Sequence, residues 1–201
     1  MLLIDTDMLV LLAASGLLDR VVDQLGFKFE DMRCLAAATH QIRRSRSLRN
    51  QYGSEVLAAL MPKVETIAVV EPATDLELLN RLNALMDPGE ALLVAIAVSR
   101  SESLFVTGDK QAIRKLASCG DSHCIQALQG RIVTLEVVLR NLTNTLDTRA
   151  LRDAFQVALN HKTLRVIFSD VNLNSDAGCE TAISSYLSNV RLLSGGMLYD
   201  P

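Results

Sequence analysis

The sequence predicts an α/β fold of three layers, in which helices cover both faces of a mostly parallel central sheet. Short apolar segments typical of buried strands alternate with segments whose apolar residues recur at helical spacing. Strands separated by helices pair in parallel through right-handed crossovers. The length of 201 residues and the 49% hydrophobic composition suit one main core with a smaller appendage.

The first third of the chain predicts one strand followed by helices. Residues 2–4 are apolar and give way to polar residues, as expected of a covered strand that leads into a loop. Apolar residues at helical spacing then predict helical segments. These segments are 8–25 with a break at Ser15 and Gly16, 34–44, and 48–61 with a break near Gly53 and an end at Pro62.

The middle of the chain continues the alternation of strands and helices. A β-branched run at 66–70 predicts a second strand, which Pro72 stops. The run 104–107 predicts a third strand and, like the first, leads into an aspartate. A fourth strand is predicted over 131–135, and helices over 75–86, 90–100, 111–118 and 136–142.

The last part of the chain follows a different pattern. Residues 147–160 and 176–193 have helical spacing, and the apolar run 164–168 predicts a strand. We therefore divide the chain into an α/β domain over 1–143 and a C-terminal extension over 144–201 that is mainly helical. The sequence assigns no role to this extension.

Composition and charge argue against several classes of protein. Twenty basic and 23 acidic residues give a net charge of −3, so the molecule as a whole has no positive field to hold nucleic acid. Five Phe, three Tyr and no Trp provide few aromatic side chains on which nucleic-acid bases could stack. We therefore do not expect RNP-type or OB-type recognition of nucleic acid. The longest apolar run, 91–98, has 8 residues and the first residues lack a basic segment, so we expect neither a membrane span nor a secretory signal. Four scattered cysteines, kept reduced, favour the cytoplasm.

Acidic residues follow two of the predicted strands. Asp5 and Asp7 come after the first strand, Asp109 comes after the third, and Glu90 opens a helix. In parallel α/β sheets, ligands bind beyond the carboxyl ends of the strands, so we expect these side chains to converge there. Carboxylates that repel one another at one site suit a hard divalent cation such as Mg²⁺ or Mn²⁺. The alternative is that Asp7 and Asp109 simply cap helices.

Three motifs occur in the order and spacing of a known family. They are I-D-T-D-M-L-V-L-L at 4–12, D-P-G-E-A-L-L-V-A-I-A at 87–97 and L-F-V-T-G-D at 104–109. This ordered set resembles the PIN-domain family of metal-dependent ribonucleases, which includes toxins of bacterial toxin–antitoxin pairs. The likeness covers residues 1–143.

The resemblance implies a parallel sheet that carries a site for Mg²⁺ or Mn²⁺. It makes Asp5, Glu90 and Asp109 the catalytic and metal-binding carboxylates. It gives Asp7 a supporting role, and it places the hydroxyl of Thr107 beside the metal or its water. The implied activity is metal-assisted hydrolysis of phosphodiester bonds in single-stranded or structured RNA.

One position departs from the family pattern. The family usually carries a glutamate on the helix after the first crossover, where the stretch L-A-A-A-T-H-Q-I-R-R at 35–44 offers His40 or Gln41 instead. Gln41 can support the site through its carbonyl oxygen but brings no charge. Asp31 or Glu30 would substitute if the preceding loop folded back.

A basic cluster follows the same stretch. The arginines at positions 43, 44, 46 and 49 lie within seven residues, and guanidinium groups bind phosphate oxygens through two parallel hydrogen bonds. We predict that Arg43, Arg44, Arg46 and Arg49, together with Lys110, contact the RNA, the alternative being a solvated helix face. Further partners implied by the resemblance are an inhibitory antitoxin protein and a second copy of the chain.

Two other functions remain open. A catalytically weakened PIN-like module would bind RNA or a protein without cutting, which the neutral Gln41 favours. A phosphohydrolase of the haloacid dehalogenase type would use the Asp5-Thr6-Asp7 segment as nucleophile and acid, and T-G-D-K at 107–110 imitates the late acidic motif of that family.

Overall fold

A five-stranded sheet, parallel at every pairing, forms the centre of the protein. The computed structural model describes residues 1–173 and 176–200. Its strands are β1 (Leu2–Ile4), β2 (Met32–Cys34), β3 (Ala68–Val69), β4 (Leu104–Val106) and β5 (Ile132–Val133). They are arranged in the order β3-β2-β1-β4-β5. The predicted parallel α/β architecture is confirmed.

Successive strand residues point into two separate cores, one on each face of the sheet. Leu2 and Ile4 of β1 belong to one buried cluster, whereas Leu3 belongs to the other. In β4, Val106 belongs to the first of these clusters and Phe105 to the second. Because side chains alternate across a strand, helices must cover both faces, and the fold has three layers.

The pairing of β1 with β4 determines where the chain leaves the sheet. Leu2 lies opposite Leu104, and Ile4 opposite Val106. The next residue, Asp5, donates its backbone N–H to the Val106 carbonyl at 3.0 Å. The segments that follow β1 and β4 therefore emerge side by side at the carboxyl ends of the strands.

Ten α-helices connect and cover the strands up to residue 143 of the described chain. Nothing in the described residues forms a helix with both the length and the apolar character needed to cross a bilayer. The helices are α1 (Thr6–Ala14), α2 (Leu18–Gln24), α3 (Ala38–Arg44), α4 (Arg46–Tyr52), α5 (Ser54–Val64), α6 (Leu76–Asn83), α7 (Pro88–Ser99), α8 (Lys110–Ser118), α9 (Ser122–Ala127) and α10 (Leu135–Thr143).

Three expectations for this region are wrong in detail. The predicted helix 34–44 begins only at Ala38, because the residues before it form β2 after a short 3-10 helix, Phe29–Asp31. Pro62 does not end α5, which continues to Val64. The predicted strand 131–135 is shorter, since Leu135 already begins α10, and α9 had no counterpart among the predictions. The break near Gly53 is confirmed: this residue, at φ +84°, separates α4 from α5.

The C-terminal segment is helical throughout its described residues. Its elements are α11 (Thr148–Ala154), the 3-10 helix Phe155–Ala158, α12 (Lys162–Ile167), α13 (Asp170–Leu173) and α14 (Asp176–Leu193). The predicted strand 164–168 is wrong. Leu164, Ile167 and Phe168 are buried while Arg165 and Val166 are exposed, and this three- and four-residue spacing is that of a helix face.

This segment packs into the core of the sheet. Phe155 and Leu187 belong to the same buried cluster as Leu2 and Ile4, and α14 contacts both α8 and α10. The chain then returns to the edge of the sheet. Tyr199 donates its backbone N–H to the Ile132 carbonyl at 2.8 Å, which covers β5 on its outer side.

The shared core generates a prediction about cooperativity. Phe155 is fully buried, so Phe155→Ala should lower the free energy of unfolding by about 3–5 kcal/mol through lost transfer energy and a cavity. Urea unfolding followed by circular dichroism and by tyrosine fluorescence should show one transition for both probes.

Val157 is the matched control, because it lies on the same 3-10 helix but is 37% exposed. Val157→Ala should cost less than about 1 kcal/mol. Two separate transitions, or equal losses in the two variants, would show that the C-terminal segment does not share the core.

Candidate functional site

A cavity of about 490 Å³ opens at the carboxyl ends of β1 and β4. Its wall contains all four carboxylates that the sequence placed together, from three separate segments of the chain. These are Asp5, Asp7, Glu90 and Asp109. Because β1 and β4 are parallel neighbours, the segments that follow them meet at one edge of the sheet. This is the place where ligands of parallel α/β sheets are expected to bind.

Asp5 holds two segments of the chain together. One carboxylate oxygen, Oδ1, accepts the backbone N–H of Met8 at 2.7 Å and so caps α1. The other, Oδ2, accepts the backbone N–H of Gly108 at 3.1 Å, in the loop after β4. Asp5 is only 8% exposed. Burial raises its pKa to about 6, although the hydrogen bonds from Thr107, Met8 and Gly108 act in the opposite direction.

Asp109 both caps a helix and lines the cavity. Its Oδ1 accepts the backbone N–H groups of Gln111 at 2.6 Å and Ala112 at 3.0 Å, at the start of α8. Its own N–H donates to the hydroxyl of Thr107 at 3.1 Å. The charge of Asp109 also raises the pKa of the neighbouring Glu90. The capping role is therefore present without taking Asp109 out of the site.

Glu90 is placed by the close packing of the first turn of α7. Asp87 caps this helix by accepting the N–H of Gly89 at 2.8 Å. A Cβ atom on Gly89 would lie 2.7 Å from Cδ1 of Leu35, so only glycine fits there without displacing its neighbour. The helix therefore starts directly beside the loop that follows β2, with Glu90 on the cavity wall.

The environment of Glu90 favours its protonated form. Burial raises its pKa to about 8, and the neighbouring Asp109, Asp5 and Asp87 add to the rise. Asp7, in the first turn of α1, also has a raised pKa through burial and the charge of Asp109, opposed by His161. Burial and the crowding of acids thus raise the pKa of Asp5, Asp7 and Glu90.

The two supporting residues differ in position. Gln41 of α3 lies on the cavity wall, where its side-chain oxygen accepts the hydroxyl of Thr6 at 3.0 Å. Thr107 is fully buried behind the wall, bonded to Asp5 and to the N–H of Asp109. It positions these two carboxylates. Glu30 and Asp31 cannot replace an acid at Gln41, because they precede β2 and so lie at the opposite end of the sheet.

The arginine cluster lies outside the cavity. Arg43 forms an ion pair with Glu65, and Arg49 donates to the carbonyl of Arg44 at 3.1 Å. Arg44 and Arg46 are exposed. Helix α4, which carries Arg46 and Arg49, also lines the cavity. It does so through another face, that of Leu48, Gln51 and Tyr52.

Lys110 also points away from the cavity wall. Its Nζ atom lies 2.5 Å from Oε1 of Glu136, which is fully buried, and 5.1 Å from the ring centre of Tyr186. A lysine that pairs with a buried carboxylate is held in place, because separating the two would leave an unpaired charge in the interior. A contact of Lys110 with RNA, as predicted from the sequence, would compete with this pairing.

The donor set suits a hard cation in its chemistry. Carboxylate and amide oxygens are the ligands that Mg²⁺ takes, and a cation would relieve the crowding of charge that raises the pKa of Asp5 and Glu90. Over residues 1–173 and 176–200, however, no three His, Cys, Asp or Glu side chains are already arranged to hold a metal. These side chains would have to rearrange around a cation to hold it, and the cation would favour the ionised form of Glu90.

Sequence reasoning missed three contributors to this region. Asp87 lies on the wall and was overlooked although it belongs to the D-P-G-E motif. Glu136 is buried beside Lys110 and carries no local signal, since it looks like an ordinary residue in the first turn of a helix. His161 lies on the cavity wall although it belongs to the C-terminal segment, and no motif links it to the acidic residues.

The raised pKa of Glu90 predicts how stability depends on pH without metal. The native state holds the Glu90 proton more tightly than the unfolded chain, whose ordinary pKa is 4.5. This contribution is full below the unfolded pKa and is lost as the pH rises through about 8. In chelator, Glu90→Gln should therefore flatten the fall in unfolding free energy between about pH 5 and pH 8, measured by urea titration.

Glu102→Gln is the control, since Glu102 is exposed in the loop before β4 and lies outside the cavity. It should leave the slope of wild type unchanged. Equal slopes for wild type and Glu90→Gln would mean that Glu90 is not protonated by its surroundings.

The comparison with known proteins adds no assignment to this geometry. No family model, curated protein or solved structure matches the chain.

Proposed function

We propose that the protein is a metal-dependent endoribonuclease that uses Mg²⁺ or Mn²⁺. One observation carries this proposal: Asp5, Asp7, Glu90 and Asp109 line a single cavity at the carboxyl ends of β1 and β4. Burial and the charges of the neighbouring acids, Asp109 foremost, raise the pKa of Glu90. Such crowding of acids costs free energy, and clusters of this kind are typical of functional sites.

The acidic residues would have two roles, which are binding the cation and orienting a water. Asp5, Glu90 and Asp109 would hold the cation, which when bound lowers the pKa of a water and polarises a phosphoryl oxygen. Asp5 is fixed at the cavity wall by its two backbone hydrogen bonds, and Asp109 is fixed there by its helix cap. Asp7, which lies on the cavity wall, would orient a water towards the phosphate.

RNA binding is proposed to use the surface beside the cavity. Arg44 and Arg46 are exposed near the helix that also forms the cavity wall, so a strand that enters the cavity along α4 would pass them. Their guanidinium groups suit phosphate oxygens. Arg43 and Arg49 join this set only if they leave their partners within the protein.

The proposal also includes a cellular location and protein partners. Cys34, Cys119 and Cys124 carry free thiols, which suits the reducing cytoplasm. A toxin role would bring an inhibitory antitoxin as partner, and a second copy of this chain is the other partner proposed.

A PIN-like module that binds without cutting is the second candidate. Gln41 favours it, because a neutral amide bonded to Thr6 lies on the wall in place of an acid. A phosphohydrolase of the haloacid dehalogenase type fits less well. Both oxygens of Asp5 accept backbone hydrogen bonds and the residue is buried, which suits a holding role better than nucleophilic attack. Trapping by beryllofluoride would reveal that chemistry.

Loss of one carboxylate tests the nuclease proposal. Asp5→Asn should lower metal-dependent cleavage of RNA at least about a hundredfold, because the amide brings no charge to hold the cation. Initial rates would be measured on mixed-sequence RNA and single-stranded DNA with Mg²⁺ or Mn²⁺.

Asp147→Asn is the matched control, since Asp147 also caps a helix but is exposed and lies outside the cavity. It should cleave at the wild-type rate, because asparagine caps about as well as aspartate. Wild type that cleaves equally well in chelator, or Asp5→Asn as active as wild type, would contradict the proposal.

A gain of charge tests the position of Gln41. Gln41→Glu should tighten Mn²⁺ binding about tenfold in calorimetry, a change of about 1.4 kcal/mol, because a carboxylate joins the cavity wall. Gln126→Glu adds the same charge on the exposed surface of α9 and should leave the affinity unchanged. Equal affinities in both variants would place Gln41 outside the reach of the ion.

A further inference from the structure

His161 lies on the wall of the acidic cavity although it comes from the C-terminal segment. It immediately precedes α12, and its backbone is fixed on both sides. Its N–H donates to the Ala158 carbonyl at 2.9 Å, and its carbonyl accepts the N–H of Arg165 at 2.9 Å. The imidazole is therefore held at the site by regular backbone structure.

The residues around His161 anchor it to the main core. Ala158 and Leu164, on either side of it, are completely buried. The 3-10 helix that precedes His161 contacts α1, which carries Asp7, and α4, which lines the same cavity. The position of the imidazole is thus set by packing against the elements that form the site.

One ring nitrogen of His161 has no hydrogen-bond partner within the described part of the protein. Its Nδ1 atom is buried and has no hydrogen-bond partner among the residues that the structure describes, so this atom would bond to a ligand in the cavity once the ring turns. Buried histidines with a purely structural role normally have their polar atoms bonded. The groups that act on its charge are Asp7, Glu136 and Lys110. Burial and the charge of Lys110 together lower the pKa of His161 more than the two acids raise it.

His161 also differs in charge from the acidic side chains of the wall. Asp5, Asp7, Asp87, Glu90 and Asp109 are all acids, and His161 is the one basic side chain on the described wall. A phosphodiester that enters this cavity brings a further negative charge. An imidazole N–H is a donor to phosphate oxygens in both the neutral and the cationic form.

We propose that His161 contacts a phosphate oxygen of RNA bound in the cavity, so that the C-terminal segment completes the active site. The proposal rests on the nuclease function proposed above. It gives the segment after residue 143 a direct part in substrate binding.

Nuclear magnetic resonance can test the contact without any cleavage. The chain has three histidines, so the ring signals are few, and His161→Gln identifies the one in question. In chelator, a four-nucleotide uridine RNA added to the wild-type protein should shift the His161 signal and raise the pKa of this imidazole, because the phosphate stabilises its cationic form. The signals of His40 and His123, both exposed and outside the cavity, should stay in place.

Kinetics give an independent measurement. With Mg²⁺, His161→Gln and His161→Ala should lower kcat/KM about ten- to a hundredfold, the range for loss of a hydrogen bond to a charged group. Affinity for Mn²⁺ in calorimetry should change less than about twofold, because His161 is not among the proposed ligands. His123→Gln is the matched control and should behave as wild type.

The outcomes separate this inference from the function on which it rests. If wild type cleaves RNA, and the His161 signal stays still while His161→Gln keeps full activity, the contact is refuted and the nuclease stands. If wild type does not cleave but RNA moves the His161 signal, the contact holds in a binding module. Neither cleavage nor any shift would overturn both proposals. The resonance measurement uses wild type, so a variant that fails to fold does not prevent a decision.

Discussion

The buried carboxylate of Asp5 is the constraint on which this end of the molecule depends. It caps α1 through the N–H of Met8 and fixes the loop after β4 through the N–H of Gly108. A charged group that is 8% exposed is tolerated only where its oxygens are bonded. The bonds that stabilise Asp5 therefore also fix the relative position of the two segments that carry Asp7 and Asp109.

Capping and the acidic site are two uses of the same side chains. Asp5, Asp87 and Asp109 each cap a helix, namely α1, α7 and α8, and each also lines the cavity. The N-terminal ends of these helices bring partial positive charge to the place where carboxylates crowd. This arrangement offsets part of their repulsion, so a helix-cap interpretation and a functional interpretation do not exclude each other.

Local patterns and one topological rule were enough to predict the convergence of the carboxylates. Asp5 and Asp109 follow clear apolar strands, and parallel strands deliver their ends to one side. β2 was missed because Met32–Cys34 is too short and mixed to show a period. The run 164–168 was misassigned because four or five apolar residues fit either a strand or a helix. His161 reaches the site through tertiary packing, which leaves no trace in neighbouring residues.

The central place of β1 affects how the protein reaches its native state. Its partner β4 lies about one hundred residues further along the chain, so this pairing closes a very long loop. Contacts of such sequence separation form slowly and after local helices. Asp5 and Asp109 meet only when this pairing has formed. Intermediates that already contain most of the helices would carry every acidic residue and still lack the cavity, so its chemistry belongs to the completed fold alone.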